Sequence, residues 1–178
     1  AMSVLPIHHT YELTIGHLGM LYRGVTICIN DRLENIAANM NRFKPGFILV
    51  VPAIAEAFYK KVMDGIASGA NQRKIAFAKR LNRICSIFGI DIRRKLYKSL
   101  LDKFGGNLTS IVVGGAALRR DVAETFTEFG VNMFQGYGLT ECAPLVATNY
   151  PRGNRLGSVG KPISCMTVKI DDGEILVK

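Results

Sequence analysis

No run in this 178-residue chain approaches the ~20 consecutive apolar residues of a membrane-spanning helix. Its opening, Ala1-Met2-Ser3, lacks the charged and apolar regions of a secretion signal. Repeats at solenoid periods and low-complexity tracts are also missing. The four cysteines (Cys28, Cys85, Cys142 and Cys165) are widely spaced, with no C-x-x-C pair and no histidine at ligand spacing. A disulfide or zinc framework is therefore not expected, and a reducing cytoplasm is the default location. Two catalytic signatures are absent as well: the G-x-G-x-x-G of a dinucleotide fold and the G-x-S-x-G nucleophile elbow.

Acidic residues are scarce. The chain carries 14 Asp/Glu against 23 Lys/Arg, a net charge of +9. The imbalance is local: from Lys60 to Lys103 twelve Lys/Arg face three Asp/Glu, and the rest of the chain sums to zero. What is present is a hydrophobic fraction of 48% in a length suited to one domain, enough for a sizeable core.

Short β-branched runs alternate with helical patterns, which predicts an α/β fold with a mostly parallel sheet flanked by helices. Strands are expected at Ser3-Val4-Leu5, Val25 to Ile29, Phe47 to Val51, Ile111 to Val113 and Val131 to Gln135. The run Phe47-Ile48-Leu49-Val50-Val51 is apolar throughout, as befits a parallel strand covered on both faces. Helices are expected at His17 to Leu21, closed by Gly24, and after a capping-box-like Asp31…Glu34, with Leu33, Ile36, Ala37 and Met40 on one face. A third starts at Pro52 with Ile54, Phe58, Val62 and Ile66 in step. Two basic helices fill positions 73 to 104, broken near Gly89, and another runs from about Asp121 to Phe129 with Gly130 at its C′ position. Positions 136 to 165, rich in glycine and proline, show no periodicity and read as a long loop, functional or disordered. Met166 to Ile170 and Glu174 to Lys178 form a hairpin through Asp171-Asp172-Gly173. Both ends look cut, which predicts a piece of a larger protein.

Two clusters stand directly after expected strands, where open parallel sheets collect ligands. In Gln135-Gly136-Tyr137-Gly138-Leu139-Thr140-Glu141, two glycines bracket an aromatic ring that could stack on a base. The following hydroxyl suits a phosphate oxygen, and the carboxylate suits a magnesium ion. The plainer reading is a tight turn with Tyr137 packed over it. In Gly114-Gly115-Ala116-Ala117-Leu118, the lack of side chains would let a planar ring lie on the backbone, although such turns also serve packing alone.

The pair resembles the adenine- and phosphate-binding motifs of the adenylate-forming superfamily, which includes acyl- and aryl-CoA synthetases, beetle luciferases and peptide-synthetase adenylation domains. The likeness continues through Leu5-Pro6-Ile7-His8-His9-Thr10-Tyr11-Glu12, which is similar to the L-P-x-x-H segment of fatty acyl-CoA synthetases. It extends through Lys44-Pro45 and Val51-Pro52, Gly157 to Pro162 and Gly173 to Lys178, in order along nearly the whole chain. The resemblance implies that 1–178 is part of an AMP-binding domain. Gln135, Gly136, Tyr137 and Gly138 would form the nucleotide motif, Tyr137 stacking on adenine with Gly115 and Ala116 beside the ring. Thr140 would contact the α-phosphate, Glu141 would ligate Mg2+, and His9 would sit near the acyl carboxylate with Tyr11 at the acyl tunnel. Isolated histidines at a strand end more often make ordinary hydrogen bonds.

The implied reaction is ATP-dependent activation of a fatty acid, long-chain by this resemblance, with transfer to coenzyme A. Medium-chain or aryl acids are the alternative. The superfamily's phosphate loop would precede Ser3, and its ribose-binding Asp, hinge and adenylation Lys would follow Lys178, so this piece alone is expected to be inactive. In the basic stretch, Phe77, Leu81, Ile84, Cys85 and Phe88 share one helix face, with Lys79, Arg80 and Arg83 largely opposite. The plainer reading is a solvated surface face. The other is weak peripheral contact of 73–98 with the inner face of a membrane. A non-catalytic basic module over 60–103 that binds membrane or nucleic acid is the competing class, and nucleic acid is not expected without a binding motif.

Overall fold

The computed structural model describes residues 1–66 and 69–178, and side chains throughout except at 69–72 and Lys74. Positions 67–68 of the basic stretch and the Lys74 side chain thus lie outside the described residues. A seven-stranded sheet runs in the order β2-β1-β3-β4-β5-β6-β7. Its strands are β1 (Met2–Ser3), β2 (Cys28–Ile29), β3 (Phe47–Val50), β4 (Ser110–Val113), β5 (Asn132–Gly138), β6 (Leu145–Thr148) and β7 (Lys161–Pro162). The first five are parallel, and β6 and β7 add antiparallel at one edge. The fold is therefore the α/β arrangement that the alternating pattern predicts.

The helical layer on one sheet face comprises α2 (Ile36–Phe43), α3 (Pro52–Ile66), α4 (Gly69–Ile87), α5 (Arg93–Leu96), α6 (Lys98–Leu101) and α7 (Arg120–Glu128). Alternate strand residues Ile48, Val50, Ile111, Val113 and Met133 pack there on Ala55, Phe58 and Val62 of α3 and Val122, Ala123 and Phe126 of α7. Phe104 bridges Phe58 and Phe126 at ring separations of 5.4 and 6.0 Å. α7 ends in a Schellman motif: Val131 N–H donates to Phe126 O at 3.0 Å and Gly130 N–H to Thr127 O at 3.1 Å, which satisfies orphan carbonyls before β5 begins.

Arginines hold this layer to the sheet. The Arg94 guanidinium donates to the carbonyls of Leu108 (2.6 Å), Gly106 (3.0 Å) and Gly130 (3.3 Å), and Arg93 pairs with Asp91 at 2.7 Å while donating to Thr127 O at 2.8 Å. Lys79 pairs with Glu128 at 2.7 Å, and Tyr97 donates to the same carboxylate at 3.0 Å.

Four expectations are corrected. The helix expected over His17 to Leu21 is present but longer: a wide π-helical stretch, Tyr11–Gly19, runs into α1 (Met20–Tyr22), with its first two residues, Tyr11 and Glu12, buried. The strand expected from Val25 forms only at Cys28–Ile29, where β1 offers partners. The capping box is not made: Asp31 accepts from the Asn35 and Asn39 side-chain amides at 2.7 and 2.8 Å, a short 3-10 turn at Leu33–Asn35 precedes α2, and Leu33 is exposed. The long loop is not a loop: β5 continues to Gly138 and pairs with β6, with a register shift between Tyr137 and Gly138. The final hairpin, β8 (Val168–Asp171) and β9 (Glu174–Val177), turns at Asp172 and Gly173, both at positive φ, in the form that two-residue hairpins favour.

Candidate nucleotide and acid site

Parallel pairing puts Val113 of β4 beside Gln135 of β5, so the segments leaving both strands emerge side by side at one sheet edge. Gln135 locks them together: its buried side-chain carbonyl accepts from Leu118 N–H at 3.3 Å. That contact holds the 114–118 turn, in which Gly115 takes φ +86°, a conformation that side chains rarely adopt. Beyond β5, Leu139 N–H donates to Pro144 O at 2.8 Å, and a 3-10 turn at Thr140–Cys142 leaves Thr140 and Glu141 exposed.

Both segments open into a cavity of about 720 Å³. Gly114, Gly115, Gly136, Tyr137, Gly138, Thr140 and Glu141 line it, as do His9 and Thr10. Tyr11, Ile15, Met20, Phe47 and Val112, from the sheet and from the helical segment that starts at Tyr11, give it apolar lining. Of the residues singled out in the sequence, Ala116 and Gln135 do not line the cavity: Ala116 is exposed beside Gly115, and Gln135 is buried behind it. His8 is outside the lining too.

Tyr11 ties the apolar lining to the turn. Its hydroxyl donates to Val112 O at 3.2 Å, and its ring lies so close to Gly114 that a Cβ there would sit 2.9 Å from Cζ. Burial, reinforced by the neighbouring Glu12, raises the Tyr11 phenol well above its ordinary range and keeps it neutral. His9 Nδ1 accepts from Tyr11 N–H at 3.1 Å, so the proton of the neutral ring sits on Nε2, which remains a donor.

Sequence reasoning missed Glu12. It is fully buried, with His17 Nδ1 3.9 Å from Oε1, and burial raises its carboxyl above the ordinary range, opposed by the Ser3 hydroxyl and by His17. Polar residues at successive positions 8 to 12 hide which of them turns inward, and no periodicity marks it. For a cation, Glu141 is a single exposed carboxylate; no cluster of three His, Cys, Asp or Glu exists among the described residues. Such a donor fits Mg2+, which commonly takes one or two carboxylates and fills its shell with phosphate oxygens and water. It does not suit an ion caged by protein alone.

The sequence model of AMP-binding enzymes matches residues 1–177. A long-chain-fatty-acid–CoA ligase of Mycobacterium bovis, FadD15, is 27% identical over 98% of this chain and 31% of its own length. Long-chain-fatty-acid–CoA ligase 1 of Saccharomyces cerevisiae is 28% identical over 97% of the chain and 26% of its own. The chain thus spans about three-tenths of the curated relatives it matches. Among solved structures, an anthranilate CoA ligase, AuaEII, in complex with anthranoyl-AMP superposes with a TM-score of 0.68 at 19% identity, over 99% of this chain and 30% of its own. The o-succinylbenzoate CoA synthetase of Bacillus subtilis, in complex with ATP and magnesium ion, gives 0.60 at 19% identity, over 98% and 30%. At these identities the structures establish the shared fold.

Proposed function

This chain belongs to the AMP-binding enzyme family, and from that premise we propose that it forms the adenylate-binding part of an acid–CoA ligase activating a long-chain fatty acid with ATP. The observation that carries the reading is the meeting of three distant segments (His9 to Tyr11, Gly114–Gly115 and Tyr137 to Glu141) at one cavity with polar and apolar lining. Tyr137 offers a ring for adenine, and the bare backbone at Gly114 and Gly115 leaves room along the base. The Thr140 hydroxyl donates to an α-phosphate oxygen, and His9 Nε2–H faces the acid's carboxylate. The acyl chain takes the apolar lining, beside Tyr11, Ile15 and Met20. Glu141 would hold Mg2+, which when bound supplies charge neutralisation at the phosphates.

In the proposed reaction a carboxylate oxygen attacks the α-phosphorus as its bond to pyrophosphate breaks. The thiolate of coenzyme A then adds to the acyl carbon and AMP leaves. Both steps need positioning and charge stabilisation rather than a protein nucleophile. Gln135 and Tyr11 serve the first need by fixing the turn that carries Gly115.

The names of the curated relatives and the apolar lining of the cavity support a long-chain acid. The test measures acid-dependent pyrophosphate release by the complete protein with palmitate, octanoate and an aryl acid such as anthranilate. Palmitate should be preferred, and preference for the aryl acid would replace the fatty-acid reading. Loss of ATP-analogue binding in Tyr137→Ala is expected in either case; unchanged binding would remove the nucleotide assignment.

A further inference from the structure

The apolar side of α4 faces outward. Phe77 and Ile84, seven residues apart, share a face, and Phe88 in the turn after the helix continues the line; they are 67%, 48% and 74% exposed. Ile87 and Ile90 add 78% and 55% exposure beside them. The helix is held to the domain by its other side, where Ala78 is buried and Lys79 pairs with Glu128. Arg80 and Arg83, which the sequence reading set largely opposite the stripe, lie along its border, as does Arg73. Arg73 stands four residues before Phe77, Arg80 three after Phe77 and four before Ile84, and Arg83 four before Ile87, all spacings of adjacent side chains on a helix. All three are exposed and make no ion pair among the described residues, and no acidic residue occurs between Asp64 and Asp91.

We propose that this stripe is a docking surface for an anionic lipid membrane. The aromatic and aliphatic side chains enter the interfacial layer, and the arginines lay their stems along it while their guanidinium groups meet lipid phosphates. The charge border selects this occupant. A second copy packed about a twofold axis would set the same arginines against each other, with no carboxylate on the helix to offset them. A nucleic acid would engage the arginines and leave five apolar side chains in water. The helix lies on the surface rather than across it, since no helix among the described residues is long and apolar enough to span a membrane. The proposal is independent of the ligase reading.

The test is co-sedimentation of the protein expressed from the complete reading frame that carries this chain. The vesicles are phosphatidylcholine with and without phosphatidylglycerol, at low and physiological salt. Binding is expected only with phosphatidylglycerol and should persist in part at physiological salt. Phe88→Ser should lower partitioning about tenfold, and Arg80→Gln and Arg83→Gln about fivefold each. Phe77→Ser serves as a second apolar variant, with thermal unfolding run alongside; should it unfold the helix, Phe88, beyond the helix end, carries the test. Absence of binding overturns the proposal. So does binding that ignores the phenylalanine changes and is competed away by duplex DNA, which would mark a general polyanion surface. If the 178-residue chain binds vesicles but the complete protein does not, another segment covers the stripe and the proposal fails.

Discussion

The cavity edge and the basic helical layer both stand out in the sequence, one as a motif and the other as a charge excess, yet they use their residues in opposite ways. At the cavity edge, backbone geometry does the positioning. Two parallel strand ends and one buried amide, Gln135 to Leu118, bring Gly115, Tyr137, Thr140 and Glu141 to the lining of one space and leave the Thr140 and Glu141 side chains exposed. In the basic layer the side chains do the positioning. Arg94 holds three carbonyls, Arg93 holds Asp91 and a helix-end carbonyl, and Lys79 holds Glu128. A net charge summed over the 44 residues from Lys60 to Lys103 therefore averages structural cations with solvent-facing ones, whereas a seven-residue motif after a strand reports one place.

The largest effect that would sharpen this contrast is at Glu141. In the complete protein, Glu141→Gln keeps the shape and removes the charge. Acid-dependent pyrophosphate release should fall by roughly a hundredfold or more, since metal-assisted charge stabilisation is worth several kcal/mol. Thioester formation from synthetic acyl-adenylate and coenzyme A should fall much less. Equal losses in the two half-reactions would mean that Glu141 shapes the site as a whole.

Within the basic layer, Arg94→Ala and Arg80→Ala should separate cleanly in urea unfolding. Losing charged donors to three part-buried carbonyls should cost about 2–3 kcal/mol. The exposed Arg80 change should stay within about 0.5 kcal/mol. Similar costs for both would break the distinction between structural and solvent-facing arginines.

Gly114→Ala places a methyl 2.9 Å from the Tyr11 ring, and overpacking of this kind costs about 1–3 kcal/mol. A double-mutant cycle with Tyr11→Ala should recover part of that loss, because the collision partner is gone. Strict additivity would show that Gly114 is needed for some other reason.

The smallest effect is in pH dependence. The native carboxyl of Glu12 holds its proton more tightly than the unfolded chain does. Its contribution to stability is therefore complete below the ordinary carboxylate range and is lost as pH rises toward its raised value. In Glu12→Gln that downward slope should vanish from the urea-unfolding profile, while Asp31, Asp91 and Asp121, all lowered by hydrogen-bond partners, keep their opposite slope at acid pH. An unchanged profile would place the buried proton elsewhere.

Much of the scaffold follows from local sequence. The apolar runs Phe47 to Val50 of β3 and Ile111 to Val113 of β4 suit strands whose two faces are both covered, and Pro52 and Gly130 mark a helix start and a helix end by their backbone limits alone. The motif at 135–141 is legible for the same reason: glycines, an aromatic ring, a hydroxyl and a carboxylate in seven residues have few structural uses in common.

Tertiary contacts decided the remainder. Gly136 and Gly138 have poor strand propensity and are strand only because Leu145 to Thr148 return to pair with the segment. The π-helical stretch begins at Tyr11 because Gly114 leaves room for its ring and Val112 accepts its hydroxyl, more than a hundred residues away in the chain. The rotation of α4 is the plainest case. Helical periodicity says which residues share a face, but the small Ala78 and the Lys79–Glu128 pair select the side that meets the domain, turning Phe77 and Ile84 to the outside. Periodicity is a property of one helix; orientation is a property of the surfaces it meets, and those surfaces come from distant parts of the chain.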